Sequence, residues 1–168
     1  QERDAAYFRS RVAEACGYLS AAVYELQLLS AEPAVEGTNY DSGLWDHVKH
    51  SVEEERWEQV ASAAVIYVED KIRRWAGNPQ MNDGAKLYGQ PLMAQVLRAG
   101  GRLALGAQAS ETEGWRNLGI GLVAAVGNVD RHGIQERADV RQYAIGVLGV
   151  ASLILTQIKH DHPAVAPS

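Results

Sequence analysis

Apolar positions along the chain recur at intervals of three and four almost throughout, the spacing that lines one face of an α-helix. Phe8, Val12, Ala15, Leu19, Val23 and Leu26 form the first stripe, over residues 3–31. Pro33, Gly37 and Gly43 break it, and Asp41 and Ser42 offer N-caps for the next helix. A short amphipathic segment carries Leu44, Trp45, Val48 and Val52. Ser51 and Glu54 then have the spacing of a capping box ahead of Trp57, Val60, Ala61, Ala64, Val68, Ile72 and Trp75. This helix is predicted to stop at Gly77, Asn78 and Pro79. Through residues 81–108 the period fades, and only residues 91–98 read as helical. A second box, Ser110 with Glu113, precedes Trp115, Leu118, Leu122 and Val126. Asp139 is placed to cap a last helix striped by Val140, Ala144, Val147, Ala151, Ile154 and Ile158, with Lys159 and His160 set against its C-terminal dipole. No stretch alternates with period two for long enough to require a sheet. The pattern predicts an all-α bundle: a long N-terminal helix and linker over residues 1–42, a helical domain over 43–162, and a disordered tail over 163–168.

Composition narrows the partners. A chain of 168 residues with 46% hydrophobic content can bury a sizeable core without staples. Its single cysteine, Cys16, has no internal disulfide partner and reads as a small core residue. The most apolar run, residues 144–158, is short for a bilayer and holds Gly, Ser, Thr and Gln, so it reads as a buried helix with no membrane role. No basic stretch leading into an apolar one opens the chain, and the cytoplasm is the expected compartment. The net charge of -5 excludes a protein that coats nucleic acid through a wide basic surface. Any contact with nucleic acid is expected to be local.

The densest polar cluster, "NVDRHG", separates the last two apolar helices. If helical geometry continues through it, Asn128 and His132 lie about 400° apart and share a face, with Arg131 about 100° away. Metal-free RNA cleavage needs a base for the ribose 2′-hydroxyl, a cation for charge growing on the phosphate, and an acid for the 5′-oxygen. Histidine suits both proton transfers. The plainer reading is a turn whose Asn, Asp and Gly satisfy helix-end backbone groups.

The order "ERWEQVASAAVIYVEDKIRRWAG", "DGAKLYGQPLM", "GWRNLGIGLVAAVGNVDRH" and "VRQYAIGVLGVASLILTQI" resembles the HEPN superfamily of small helical domains, most closely its Ymh-like branch, over residues 51–159. HEPN proteins that cleave RNA carry an R-N-x-x-x-H motif. The matching frame here runs from Gly127 to His132, so Asn128 and His132 fit and Gly127 stands where the motif has Arg. The resemblance implies a HEPN-like bundle with an extra N-terminal helix, acting as a homodimer in which two His-bearing turns meet in one cleft. It further implies a metal-independent endoribonuclease or toxin-type effector in prokaryotic antiviral defence, with an operon-encoded partner and no cofactor. His132, Asn128 and Arg131 are then the catalytic candidates, with Arg131 as substitute cation, and Arg137, Glu69 and Arg73 the substrate contacts. The alternative is an inactive module that binds RNA or a protein, or that serves as a dimerisation domain.

Two other groupings carry weaker chemistry. His47 and His50, spaced i and i+3 with Glu53 or Glu54 beyond, have a metal-ligand spacing, but no matching ligand is evident on another helix, so no metal is expected. Glu69 and Arg73, spaced i and i+4, read as a surface ion pair, or as polar lining of a cleft in the HEPN-like arrangement. Trp57, Trp75 and Trp115 fall on apolar stripes and are expected to anchor the core.

Overall fold

The computed structural model describes residues 17, 18, 20, 35–126 and 138–166. The chain divides into two units, Gln1–Ala34 and Val35–Ser168. In the first, Gly17, Tyr18 and Ser20 are helical and exposed; the rest of the helix predicted over residues 3–31 lies outside the described residues, as does Cys16.

The second unit is all-α. Its described residues form five α-helices: α1 (Ser42–Glu53), α2 (Trp57–Trp75), α3 (Gly89–Val96), α4 (Ala109–Ala125) and α5 (Val140–Asp161), preceded by a 3-10 turn at Gly37–Asn39. One isolated antiparallel bridge, Gln80 to Lys86, lies between α2 and α3. The broadest packing is between α2 and α5; α1 lies on α2, and α3 lies on α4. Val60, Ala61, Ala64, Val65, Val68 and Ile72 are the buried stripe of α2. Ala144, Val147, Leu148, Ala151, Ile154, Leu155 and Ile158 are buried on α5. Among the described residues, α5 is the one helix long and apolar enough by composition to cross a membrane. Here its stripe belongs to the same hydrophobic core as that of α2. Trp57, Trp75 and Trp115 pack partly buried against that core, as their positions predict.

The helix ends follow local chemistry, though not always at the predicted residues. Asp41 caps α1, its Oδ1 accepting the Leu44 N–H at 3.0 Å. The box predicted at Ser51 and Glu54 does not form, because Ser51 is still inside α1 and α2 begins after Arg56. The second box is shifted two residues: the Glu111 carboxylate accepts the N–H groups of Ala107 and Gln108, and Ser110 lies inside the helix. Asp139 is the N-cap residue of α5, with no capping bond from its side chain. Residues 163–166, predicted to be a disordered tail, turn back on the bundle. The Val165 and Ala166 N–H groups donate to the His162 carbonyl at 3.1 and 3.0 Å, and Ala166 is buried.

Helices α1 and α2 end in the same hydrogen-bonded turn. At α1, the Arg56 N–H reaches the Ser51 carbonyl (2.8 Å) and the Glu55 N–H the Val52 carbonyl (3.0 Å). At α2, Asn78 reaches Arg73 (2.8 Å) and Gly77 reaches Arg74 (2.9 Å). This Schellman geometry requires a left-handed residue, which is Gly77 (φ 83°) after α2 but Glu55 (φ 54°) after α1. A side chain in that region costs about 1 kcal/mol. Replacing Glu55→Gly is therefore expected to raise unfolding stability by about 1 kcal/mol and Gly77→Ala to lower it by about the same, read from urea midpoints at unchanged slope.

Candidate functional site

The predicted catalytic residues Asn128, Arg131 and His132, the motif position Gly127 and the predicted substrate contact Arg137 all lie outside the described residues. Their flanks are described. α4 ends with Val126 buried as its C-cap, and α5 begins at Val140. These two helices touch sparingly and leave an open groove of about 480 Å³ lined by Leu118, Leu122, Val126, Tyr143, Val147 and Val150. Among the described residues no charged side chain lines this groove, so its described lining suits apolar contact. The first turn of α5 is pinned by Arg141, whose guanidinium sits 5.4 Å from the centre of the Trp57 ring.

Glu69 and Arg73 are both on α2, but they do not pair. Arg73 forms an ion pair with Asp70, donates to the Asn78 side-chain oxygen at 3.0 Å, and lies over the Tyr88 ring with its carbon 5.6 Å from the centroid. Asp70 also receives Arg74 at 2.7 Å. One carboxylate thus serves two guanidinium groups. Arg73, with only 14% of its side chain exposed, is held in a fixed pose, whereas Glu69 is half-buried and forms no ion pair among the described residues.

His47 and His50 do not converge. The His47 ring packs at 5.0 Å on Tyr67, and His50 faces Glu54 at 3.2 Å. Among the described residues no group of three or more His, Cys, Asp or Glu side chains meets at one point.

A buried polar network escapes the sequence pattern. Lys159, placed by sequence against the α5 dipole, instead reaches back to Asp41 with Nζ to Oδ2 at 2.7 Å. The Asp41 N–H donates to the Ser152 hydroxyl at 2.7 Å. Asp41 therefore caps α1 with one oxygen and ties it to α5 with the other. Tyr67 stands beside this pair; burial pushes its hydroxyl above the ordinary tyrosine value, the Asp41 carboxylate adds to the rise, and Lys159 opposes it. The Tyr67 hydroxyl lies so close to Gly43 that no Cβ fits there. The sequence signal for this network was the polar break at Asp41, readable as a cap but silent about a lysine in the last helix.

A second polar recess lies at the far end of α5. The Asp161 carboxylate accepts from the Gly106 N–H at 3.2 Å and from the Gln157 side chain at 3.0 Å, and faces His160 Nδ1 at 2.8 Å. The His160 hydrogen bond chiefly holds the Asp161 carboxyl below its usual value. His162 Nε2 meets the Ala104 carbonyl at 2.9 Å. These contacts join the loop before α4 to the end of α5, and every group in them is engaged within the chain.

Residues 38–158 match the family model described as "Protein of unknown function (Hypoth_ymh)", and the chain belongs to that family. No curated protein and no solved structure matches the chain.

The Asp41–Lys159 pair yields a double-mutant test. Lys159→Met leaves a buried carboxylate without its cation and is expected to cost about 3 kcal/mol of unfolding stability. Asp41→Ser keeps a capping oxygen but strands the ammonium. The double variant should lose less than the sum of the singles, by about 1–3 kcal/mol in a denaturant cycle.

Proposed function

We propose that this member of the Hypoth_ymh family is a HEPN-like domain that acts on RNA, with residues 127–137 as its working segment. The observation that carries the reading is the set Asn128, Arg131 and His132 in the connection between α4 and α5. Two features support it. The connection is bounded by a buried residue, Val126, and by a helix start pinned through Arg141 and Trp57, so its two ends are rigidly held. Arg73 is pre-oriented by three partners, which lowers the entropy lost when it meets a phosphate.

In this reading His132 takes the proton from the ribose 2′-hydroxyl, the freed oxygen attacks the adjacent phosphorus, and the P–O5′ bond breaks as the leaving 5′-oxygen takes a proton from the protonated imidazole of the second copy's segment. Arg131 supplies the positive charge that the motif arginine would supply, and Asn128 orients the imidazole or the phosphate. Arg137, Glu69 and Arg73 contact the strand. Two copies bring two such segments into one cleft, and no metal or cofactor takes part. The setting is a cytoplasmic, toxin-type effector of prokaryotic antiviral defence with an operon-encoded partner.

A second reading, a module that binds RNA or a protein or only dimerises, is favoured by one specific observation: Gly127 occupies the place of the motif arginine.

The test compares the full chain with His132→Ala and Gly127→Arg on single-stranded RNA. Cleavage by the parent is expected to persist in EDTA and to leave a cyclic phosphate end. His132→Ala is expected to reduce it about 10²–10⁴-fold with little change in melting temperature. Parent-level cleavage by His132→Ala would sink the site. An inactive parent that Gly127→Arg switches on would establish the second reading.

A further inference from the structure

Charge is sharply divided along the described chain. Residues 35–70 carry nine carboxylates and two cations, whereas residues 71–105 carry six cations and a single carboxylate, Asp83. The net charge of -5 therefore conceals a basic block. Asp83 is the one carboxylate of this block, and it accepts the Ala85 N–H of its own turn at 3.0 Å.

The fold brings part of this block to the C-terminal end of α2. The left-handed turn at Gly77 brings Arg102 over it, the guanidinium 3.4 Å from where a Cβ would stand. The Pro79 carbonyl accepts the Leu87 N–H at 3.1 Å, and the Gln80–Lys86 bridge sets Lys86 beside the same turn. Arg98 and Arg102 flank one tight turn, closed by the Gly101 N–H on the Arg98 carbonyl at 2.8 Å. Lys86, Arg98 and Arg102 are exposed and form no ion pair among the described residues. Next to them, Tyr88 is 50% exposed with Arg73 over its ring.

Cations near a helix C-terminus can serve only to offset its dipole. Arg73 and Arg74, in the last turn of α2, already do so. Lys86, Arg98 and Arg102 come from other segments and form no ion pair among the described residues, so a bound anion would find their donors free. The composition selects among anions. Guanidinium groups predominate over ammonium, and their planar donor forks match phosphate oxygens in pairs. A half-exposed tyrosine beside them offers a face on which a base can stack, which an acidic peptide would not use.

We infer that the surface built by Lys86, Arg98 and Arg102, with Tyr88 beside it, holds the phosphate backbone of single-stranded RNA. This rests on the RNA reading above and adds where the strand is gripped.

The experiment measures anisotropy of a labelled single-stranded oligoribonucleotide on the full chain carrying His132→Ala, so that the probe survives. Adding Lys86→Glu, Arg98→Glu and Arg102→Glu is expected to weaken binding at least tenfold and to lower the slope of log affinity against log salt by about 2. Tyr88→Ala is expected to weaken it about tenfold with the salt slope unchanged. If thermal melts show the triple reversal unfolded, Arg98→Gln with Arg102→Gln replaces it, with a slope change of about 1 expected. Tight RNA binding that survives either charge change overturns this surface and leaves the RNA reading standing. Binding of polyglutamate but not RNA through these cations overturns the RNA assignment in favour of an acidic protein. Absence of RNA binding by the unreversed chain overturns both readings. Undiminished cleavage by His132→Ala, with patch-dependent affinity, overturns only the catalytic site.

Discussion

The seven buried apolar residues of α5 cannot stay in water, and the face that removes them from it is the buried stripe of α2. Alanines at 61, 64, 144 and 151 lie among the branched residues of these two stripes, so small and large side chains are available to interdigitate. The other elements take their positions from this pairing. α1 lies on α2, and the α3–α4 pair adds its own buried residues, among them Leu92, Met93, Leu97 and Leu122, to the same cluster. Because α4 meets α5 only sparingly, the groove between them stays open at the point where the chain leaves for residues 127–137.

Polar chemistry then locks what apolar burial leaves free. The start of α1 could shift against α5 at modest cost, but Asp41 admits one arrangement: its two oxygens and its N–H are all committed, to Leu44, Lys159 and Ser152. A buried charge pair adds little net stability relative to apolar side chains, yet any register that separates its members leaves a carboxylate stranded. The Asp161 contacts act similarly at the other end of α5, tying it to the loop before α4.

Charge segregation links this architecture to function. The acidic excess of residues 35–70 runs from the turn before α1 through most of α2, and the basic excess begins in the last turns of α2, where Asp70 pairs with Arg73 and Arg74. A molecule of negative net charge can then approach a polyanion through one end, where field lines from several arginines add. The groove between α4 and α5 and the basic end of α2 are built from different residues.

How much of this is legible in the sequence depends on the range of the forces involved. Helix existence and most core-facing residues of α2 and α5 depend on a period of 3.6 residues and on local breakers, so the sequence alone determined them, down to the glycine that ends α2. The predicted stripes missed the buried Val65, Leu148 and Leu155 and took in Val140, which is half-buried. Caps were less legible, because Ser51 and Ser110 have the right spacing but the neighbouring turns exclude them, and Glu111 serves in place of Glu113. Arg73 chose Asp70 over Glu69 because both carboxylates are within one turn and only the side-chain geometry decides. Asp41 and Ser152 stand 111 residues apart, and Arg102 reaches Gly77 from a different loop. No local pattern encodes such meetings: they arise only when burial of the α2 and α5 stripes brings distant polar groups close enough to satisfy one another, and that was the tertiary structure's decision.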